Sequence, residues 1–103
     1  MIELIQEHRR ELETLCRKHH VKKLELFGSA ADGTWDSARS DLDFLVEFPP
    51  GHDFGPWLTK YFEFKDELEH LFQRSVDLVL ASEPRNPYFL REINRTRTTL
   101  YAA

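Results

Sequence analysis

The eight residues from Asp41 to Phe48, DLDFLVEF, restrict the fold more than any other stretch of this chain. Side chains on an extended strand alternate between two faces. Leu42, Phe44, Val46 and Phe48 therefore share one face, and Asp41, Asp43, Leu45 and Glu47 share the other. Such a strand must lie in a sheet with its apolar face buried, while its other face carries two carboxylates near the entry. Pro49, Pro50 and Gly51 end it.

The rest of the pattern builds a small domain around that strand. Lys23 to Phe27 (KLELF) reads as a short strand stopped by Gly28, and Val76 to Leu80 (VDLVL) as a third. Helical spacing of Ile5, Leu12, Leu15 and Cys16 predicts a helix from Ile2 to His19. Phe54, Trp57, Leu58, Tyr61, Phe62, Leu68, Leu71 and Phe72 predict a long helix over 54–72, with its aromatic stripe in the core. Tyr88 to about Tyr101 reads as a closing helix, and Thr34 to Ser40 as a polar loop. Ser29 and Asp32 have the spacing of a capping box, so a short helical turn begins there. The expected class is α+β, a small mixed sheet of about three strands with helices packed on it. The 103 residues suit one domain spanning 1–103.

Composition excludes several functions. No apolar run approaches the ~18 residues of a membrane span, and the N-terminus lacks the apolar block of a signal peptide, so a cytoplasmic protein is expected. A single cysteine, Cys16, rules out an intrachain disulfide and a thiolate metal site, and reads as a core-side helix residue. A net charge of −4 opposes broad nucleic-acid binding. Arg91, Arg95 and Arg97 make the C-terminal end locally basic, which reads as a solvated helix face or as a surface for an acidic partner. His8, His19, His20, His52 and His70 show no metal-ligand spacing, and His19-His20 reads as the end of the first helix, where positive charge suits the dipole. Trp35 either anchors its loop or stacks on a nucleobase.

Three features carry chemistry. Asp41 and Asp43, two apart on a strand, have Cα atoms ~6.5–7 Å apart on the same side. Their charges repel unless a cation lies between them, and hard oxygen ligands suit Mg²⁺ or Mn²⁺. Alone, the pair reads more readily as a solvated strand entry, with Asp as a turn former. Gly28-Ser29, a strand end opening a helical turn, offers backbone N–H groups and a hydroxyl to a phosphate, or simply makes the turn. Asp77 interrupts an apolar strand, which calls for a role or an arginine partner. Together the three fit two-metal nucleotidyl transfer better than any of them alone.

At these residues the chain resembles the minimal nucleotidyltransferase (MNT) group of the DNA polymerase β-like superfamily. The group's G-S-x-A-R-G is matched by Gly28-Ser29-Ala30-Ala31-Asp32-Gly33, its S-D-x-D by Ser40-Asp41-Leu42-Asp43, and its later strand aspartate by Asp77. The resemblance covers nearly the whole chain and implies the polymerase β-like palm fold. It implies that Gly28, Ser29, Arg39 and Ser40 bind the nucleotide. Asp41, Asp43 and Asp77 would be catalytic and hold two Mg²⁺ ions (Mn²⁺ being an alternative), with Asp77 helping to deprotonate the acceptor. The group consists typically of antitoxins that bind a HEPN-domain ribonuclease toxin and, in studied cases, transfer AMP from ATP to a toxin tyrosine. The implied partner is thus a HEPN toxin in a hetero-oligomer, without direct nucleic-acid contact. Two other readings remain: a binding module that caps the toxin stoichiometrically, and a subunit that modifies a small molecule. One departure stands out, Asp32 in place of the group's arginine, with Arg39 as a possible substitute cation and a capping-box bond to Ser29 as the expected fate of Asp32.

Overall fold

The computed structural model describes residues 3–36, 41–49, 54–81 and 86–103, with the backbone alone for 54–58. Strands β1 (Lys23–Phe27), β2 (Leu42–Glu47) and β3 (Val76–Leu80) form where the alternation predicts them. A fourth, β4 (Thr98–Ala102), makes the sheet four-stranded rather than three-stranded, in the order β3-β2-β1-β4. β1 runs antiparallel to both β2 and β4, and β2 runs parallel to β3. Two parallel neighbours need a crossover, and the helix α4 (Phe54–Phe72) supplies it.

The predicted closing helix is shorter than its pattern suggests. α5 (Pro87–Thr96) is started by Asn86, whose side chain accepts the Tyr88 N–H at 2.9 Å, with Pro87 in the first turn. It stops at Thr96, and the chain turns into β4. Thr98, Thr99, Leu100 and Tyr101 are β-branched or aromatic apart from one leucine, and the second edge of β1 offers them a ladder. Tertiary pairing overrides the helical period there.

The apolar face of the sheet makes the main core. Leu24, Leu26, Leu42, Phe44, Val46, Leu78 and Leu100 pack against Ile5, Leu12, Cys16, Phe64, Leu68 and Phe72 from the helices above. Those helices are α1 (Glu3–Glu7), α2 (Arg9–Lys18) and α4. The predicted first helix is broken at His8. Its ring Nδ1–H donates to the Leu4 carbonyl at 2.9 Å, and its backbone N–H turns to Ile5 O at 3.2 Å, so one turn tightens and the helix restarts. In α4 the buried side is Phe64, Leu68 and Phe72, whereas Phe62, expected in the core, is exposed and lies edge-on to Tyr61. The side chains of Phe54, Trp57 and Leu58 lie outside the described residues. Cys16 is fully buried, and burial pushes its thiol up to about 12, so it holds its proton at neutral pH. His19 ends α2 as expected and pairs with Glu67 of α4.

The opposite face is only partly covered. Phe27, Leu45 and Ile93 form a small cluster with Val79 where α5 crosses it. Beside Phe27, Glu25 is buried and takes a bidentate pair from Arg97, with Nε to Oε2 at 2.9 Å and Nη2 to Oε1 at 2.6 Å. Hydrogen bonding from Arg97 holds the Glu25 carboxyl below the usual range. Arg97 thus neutralises a buried acid and is no solvated basic face.

Candidate active site

The uncovered face carries the acidic residues. Register pairs Asp43 of β2 with Phe27 of β1 on one side and with Asp77 of β3 on the other. Paired residues of adjacent strands lie ~4.8 Å apart and point to the same face, so Asp43 and Asp77 stand side by side. Asp41, exposed just before β2, is two residues from Asp43 and falls on the same side. The antiparallel course of β1 brings its end, and with it the Gly28-Ser29 turn, to the level where β2 and β3 begin. Among the described residues, Asp77 has no arginine partner.

Gly28 and Asp43 are in close apposition. Gly28 has φ +75° and ψ −150°, a conformation open almost only to glycine. A Cβ placed there would meet Asp43 Oδ2 at 2.5 Å. The residue thus combines a special backbone with room for a carboxylate. It also serves as N-cap of the short helix α3 (Ser29–Asp32), in place of the predicted Ser29-Asp32 capping box. Asp32 instead accepts the Thr34 N–H at 2.9 Å and the Thr34 hydroxyl at 2.7 Å, and it meets Arg95 Nη2 at 3.3 Å. The Thr34 hydroxyl and N–H, then Arg95, hold its carboxyl below the usual range, so its charge is fixed at the end of α3.

The acidity of Asp43 is perturbed. Partial burial, then the charges of Asp77 and Asp41, push its carboxyl up to about 6. Repulsion of that sort is relieved by a divalent cation, and the donors are hard oxygens. The three carboxylates do not form a finished cage, and among the described residues no group of three His, Cys, Asp or Glu has that geometry. Mg²⁺ does not demand one, since it is commonly held by one or two carboxylates while water and substrate phosphates fill the other positions. The donor set fits the ion.

Thr96 escaped sequence reasoning. The Gly28 N–H donates to its hydroxyl at 2.9 Å, and that hydroxyl donates to Glu92 O at 3.0 Å. The Gly28 amide is thereby taken, whereas the first N–H groups of α3 lack partners within the helix. Thr96→Val is expected to cost roughly 1–3 kcal/mol in urea unfolding, the penalty of an unpaired buried donor, with Thr96→Ser close to wild type. A serine-like loss in the valine variant as well, under 0.5 kcal/mol or so, would show that water replaces the hydroxyl.

Other predicted residues lie elsewhere. Arg39 and Ser40 fall outside the described residues. Trp35 packs against the main core with Arg74 stacked 4.7 Å from its ring centre, which is the loop-anchoring outcome. A groove lined by Arg10, Leu15, Glu67, His70 and Leu71 runs between α2 and α4, behind the sheet and away from the carboxylates. Among the described residues, no helix is long and apolar enough to cross a membrane.

The sequence and the fold resemble those of known proteins. Residues 8–99 match the model of the nucleotidyltransferase domain family. A candidate protein adenylyltransferase of Methanocaldococcus jannaschii is 36% identical over 85 residues, covering 82% of each chain. Among solved structures, a candidate minimal nucleotidyltransferase superposes with a TM-score of 0.72 at 28% identity, over 94% of this chain and 95% of that one. A chain of the complex between tri-AMPylated HEPN toxin and MNT antitoxin from Shewanella oneidensis superposes with a TM-score of 0.63 at 18% identity, over 95% of this chain and 72% of that one.

Proposed function

Because this chain belongs to the nucleotidyltransferase domain family, we propose that it transfers AMP from ATP to a hydroxyl, that of a tyrosine, on a HEPN-type ribonuclease toxin and so neutralises it. The observation that carries this reading is Asp43, held against Gly28 and level with Asp77, its acidity weakened by burial and by two neighbouring carboxylates. A fold has little reason to crowd like charges unless a cation joins them. The likeness to an MNT antitoxin complex points to a HEPN protein as the acceptor.

In this reading Asp41, Asp43 and Asp77 would hold Mg²⁺, which would offset charge on the triphosphate and lower the pKa of the attacking hydroxyl. The chain's own groups do the rest. Ser29 and the first amides of α3 orient the phosphates beside Gly28. Arg39 and Ser40, which precede Asp41, add to the nucleotide contacts. Asp77, exposed on the floor of the site, accepts the acceptor's proton. The hydroxyl oxygen bonds to the α-phosphorus as the bond to the β-phosphate oxygen breaks, and pyrophosphate leaves with the electron pair.

The test is to incubate the protein with ATP labelled on the α-phosphate, Mg²⁺ and a HEPN-type partner protein. Label on a partner tyrosine, lost with Asp43→Asn, is the expected result. An unlabelled partner with full neutralisation would instead support capping without transfer. That second reading draws on Tyr88, Phe89 and Leu90, which α5 leaves exposed beside the site as a ready contact surface. It predicts that Asp41→Asn and Asp43→Asn still protect cells.

A further inference from the structure

The candidate site is rich in acids, and a triphosphate adds more negative charge. Asp32 contributes a further carboxylate at the end of α3, the element that the Gly28-Ser29 turn opens. A cation on that side of the turn would offset this charge.

The geometry points to Arg95 as a phosphate-binding residue, supplied from α5 across to α3, that exchanges its carboxylate partners for the triphosphate of the bound nucleotide. This inference rests on the nucleotidyl-transfer reading above. Arg95 Nη2 lies 3.3 Å from Asp32 Oδ2, and its Nε lies 3.2 Å from Glu92 Oε2, with Nη2 also bonded to Glu92 Oε1. These bonds run through Nε and Nη2, one edge of a group with five N–H donors. Its side chain is 56% exposed, so a ligand at the turn has access to it. The next residue, Thr96, is buried and bonded to the Gly28 N–H, which fixes the root of Arg95 one residue from the turn.

The energetics favour exchange. Exposed ion pairs contribute little, so releasing Asp32 and Glu92 costs little. A guanidinium binds phosphate through two parallel hydrogen bonds, stronger than either exposed pair. The bland role for Arg95 is a brace that ties α5 to α3 through Asp32. The two roles differ in sign at Asp32. A brace is broken equally by losing either partner, whereas a phosphate ligand is weakened by losing Arg95 and freed by losing Asp32.

Calorimetric titration of the full chain with a non-hydrolysable ATP analogue and Mg²⁺ separates them. Arg95→Gln is expected to raise Kd about tenfold, and Asp32→Asn to lower it about two- to threefold. Arg95→Lys should recover part of the affinity, keeping the charge without the fork. Added salt should erode the difference between wild type and Arg95→Gln. Kd for Arg95→Gln within twofold of wild type, or the two variants shifting in the same direction, overturns the inference. Wild-type protein that binds no magnesium-nucleotide at all takes down the nucleotidyl-transfer reading, and this inference with it.

Discussion

Asp43→Asn is expected to lower transfer of labelled AMP roughly 10³-fold while making the metal-free protein more stable at neutral pH. The two effects have one cause. Asp43 is crowded by Asp77 and Asp41 and partly buried beside Gly28, so the fold disfavours its ionised form and its carboxyl is pushed up to about 6. Below the ordinary carboxylate range, Asp43 is protonated both folded and unfolded, and nothing is lost. As pH rises through about 4 to 6, the unfolded chain releases this proton before the folded one does. Stability therefore falls across that window. An amide carries no charge to repel, so thermal melting of the variant without divalent ions should be flatter from pH 4 to 6. Mg²⁺ should raise the melting temperature of wild type above pH 6 and leave the variant unmoved. A variant that melts lower than wild type at pH 7 without metal would refute the crowding argument.

Gly28→Ala is the second change with a large expected effect, and Gly33→Ala is its control. Both residues have positive φ, at +75° and +88°. A Cβ at Gly33 meets nothing within 4 Å, so its cost is the left-handed backbone alone, about 1 kcal/mol. At Gly28 the backbone strain is roughly 1–3 kcal/mol, and the new methyl also displaces the Asp43 carboxylate. A displacement near 1 Å costs on the order of 10² in rate. Urea unfolding and AMP transfer measured together should show modest loss of stability in both variants, but loss of transfer in Gly28→Ala alone. Equal transfer by the two would mean that the Gly28–Asp43 contact has no part in the chemistry.

Much of this was legible in the residues. The alternation from Asp41 to Phe48, broken only by Leu45, and the short runs KLELF and VDLVL locate three strands to within a residue, because a half-buried strand alternates. Local pattern leaves open whether Asp43 and Asp77 lie on neighbouring strands, since which strands adjoin is decided by the crossover of α4. β4 was hidden for the same reason. Residues 98–101 favour a strand by composition, but only the open edge of β1 turns that preference into one. Phe62 and Phe64 show the limit of reading periodicity among many aromatics, where a shift of two residues moves a ring from core to solvent. Thr96, Arg95 and Arg97 matter through partners far away in sequence, Gly28, Asp32 and Glu25. No spacing rule announces such pairs.

The pairing of Leu26 with Thr98 spans most of the chain. During synthesis, β1 can zip onto β2 early, but its other side waits until the ribosome has released the residues of β4. Until then one backbone edge is bare and Glu25 lacks Arg97, a combination that invites association with other nascent chains. A message truncated just upstream of codon 97 would leave the acidic floor of the site intact in sequence, yet yield a sticky and uncompensated sheet. Closure of this sheet edge is thus set by the codons of β4.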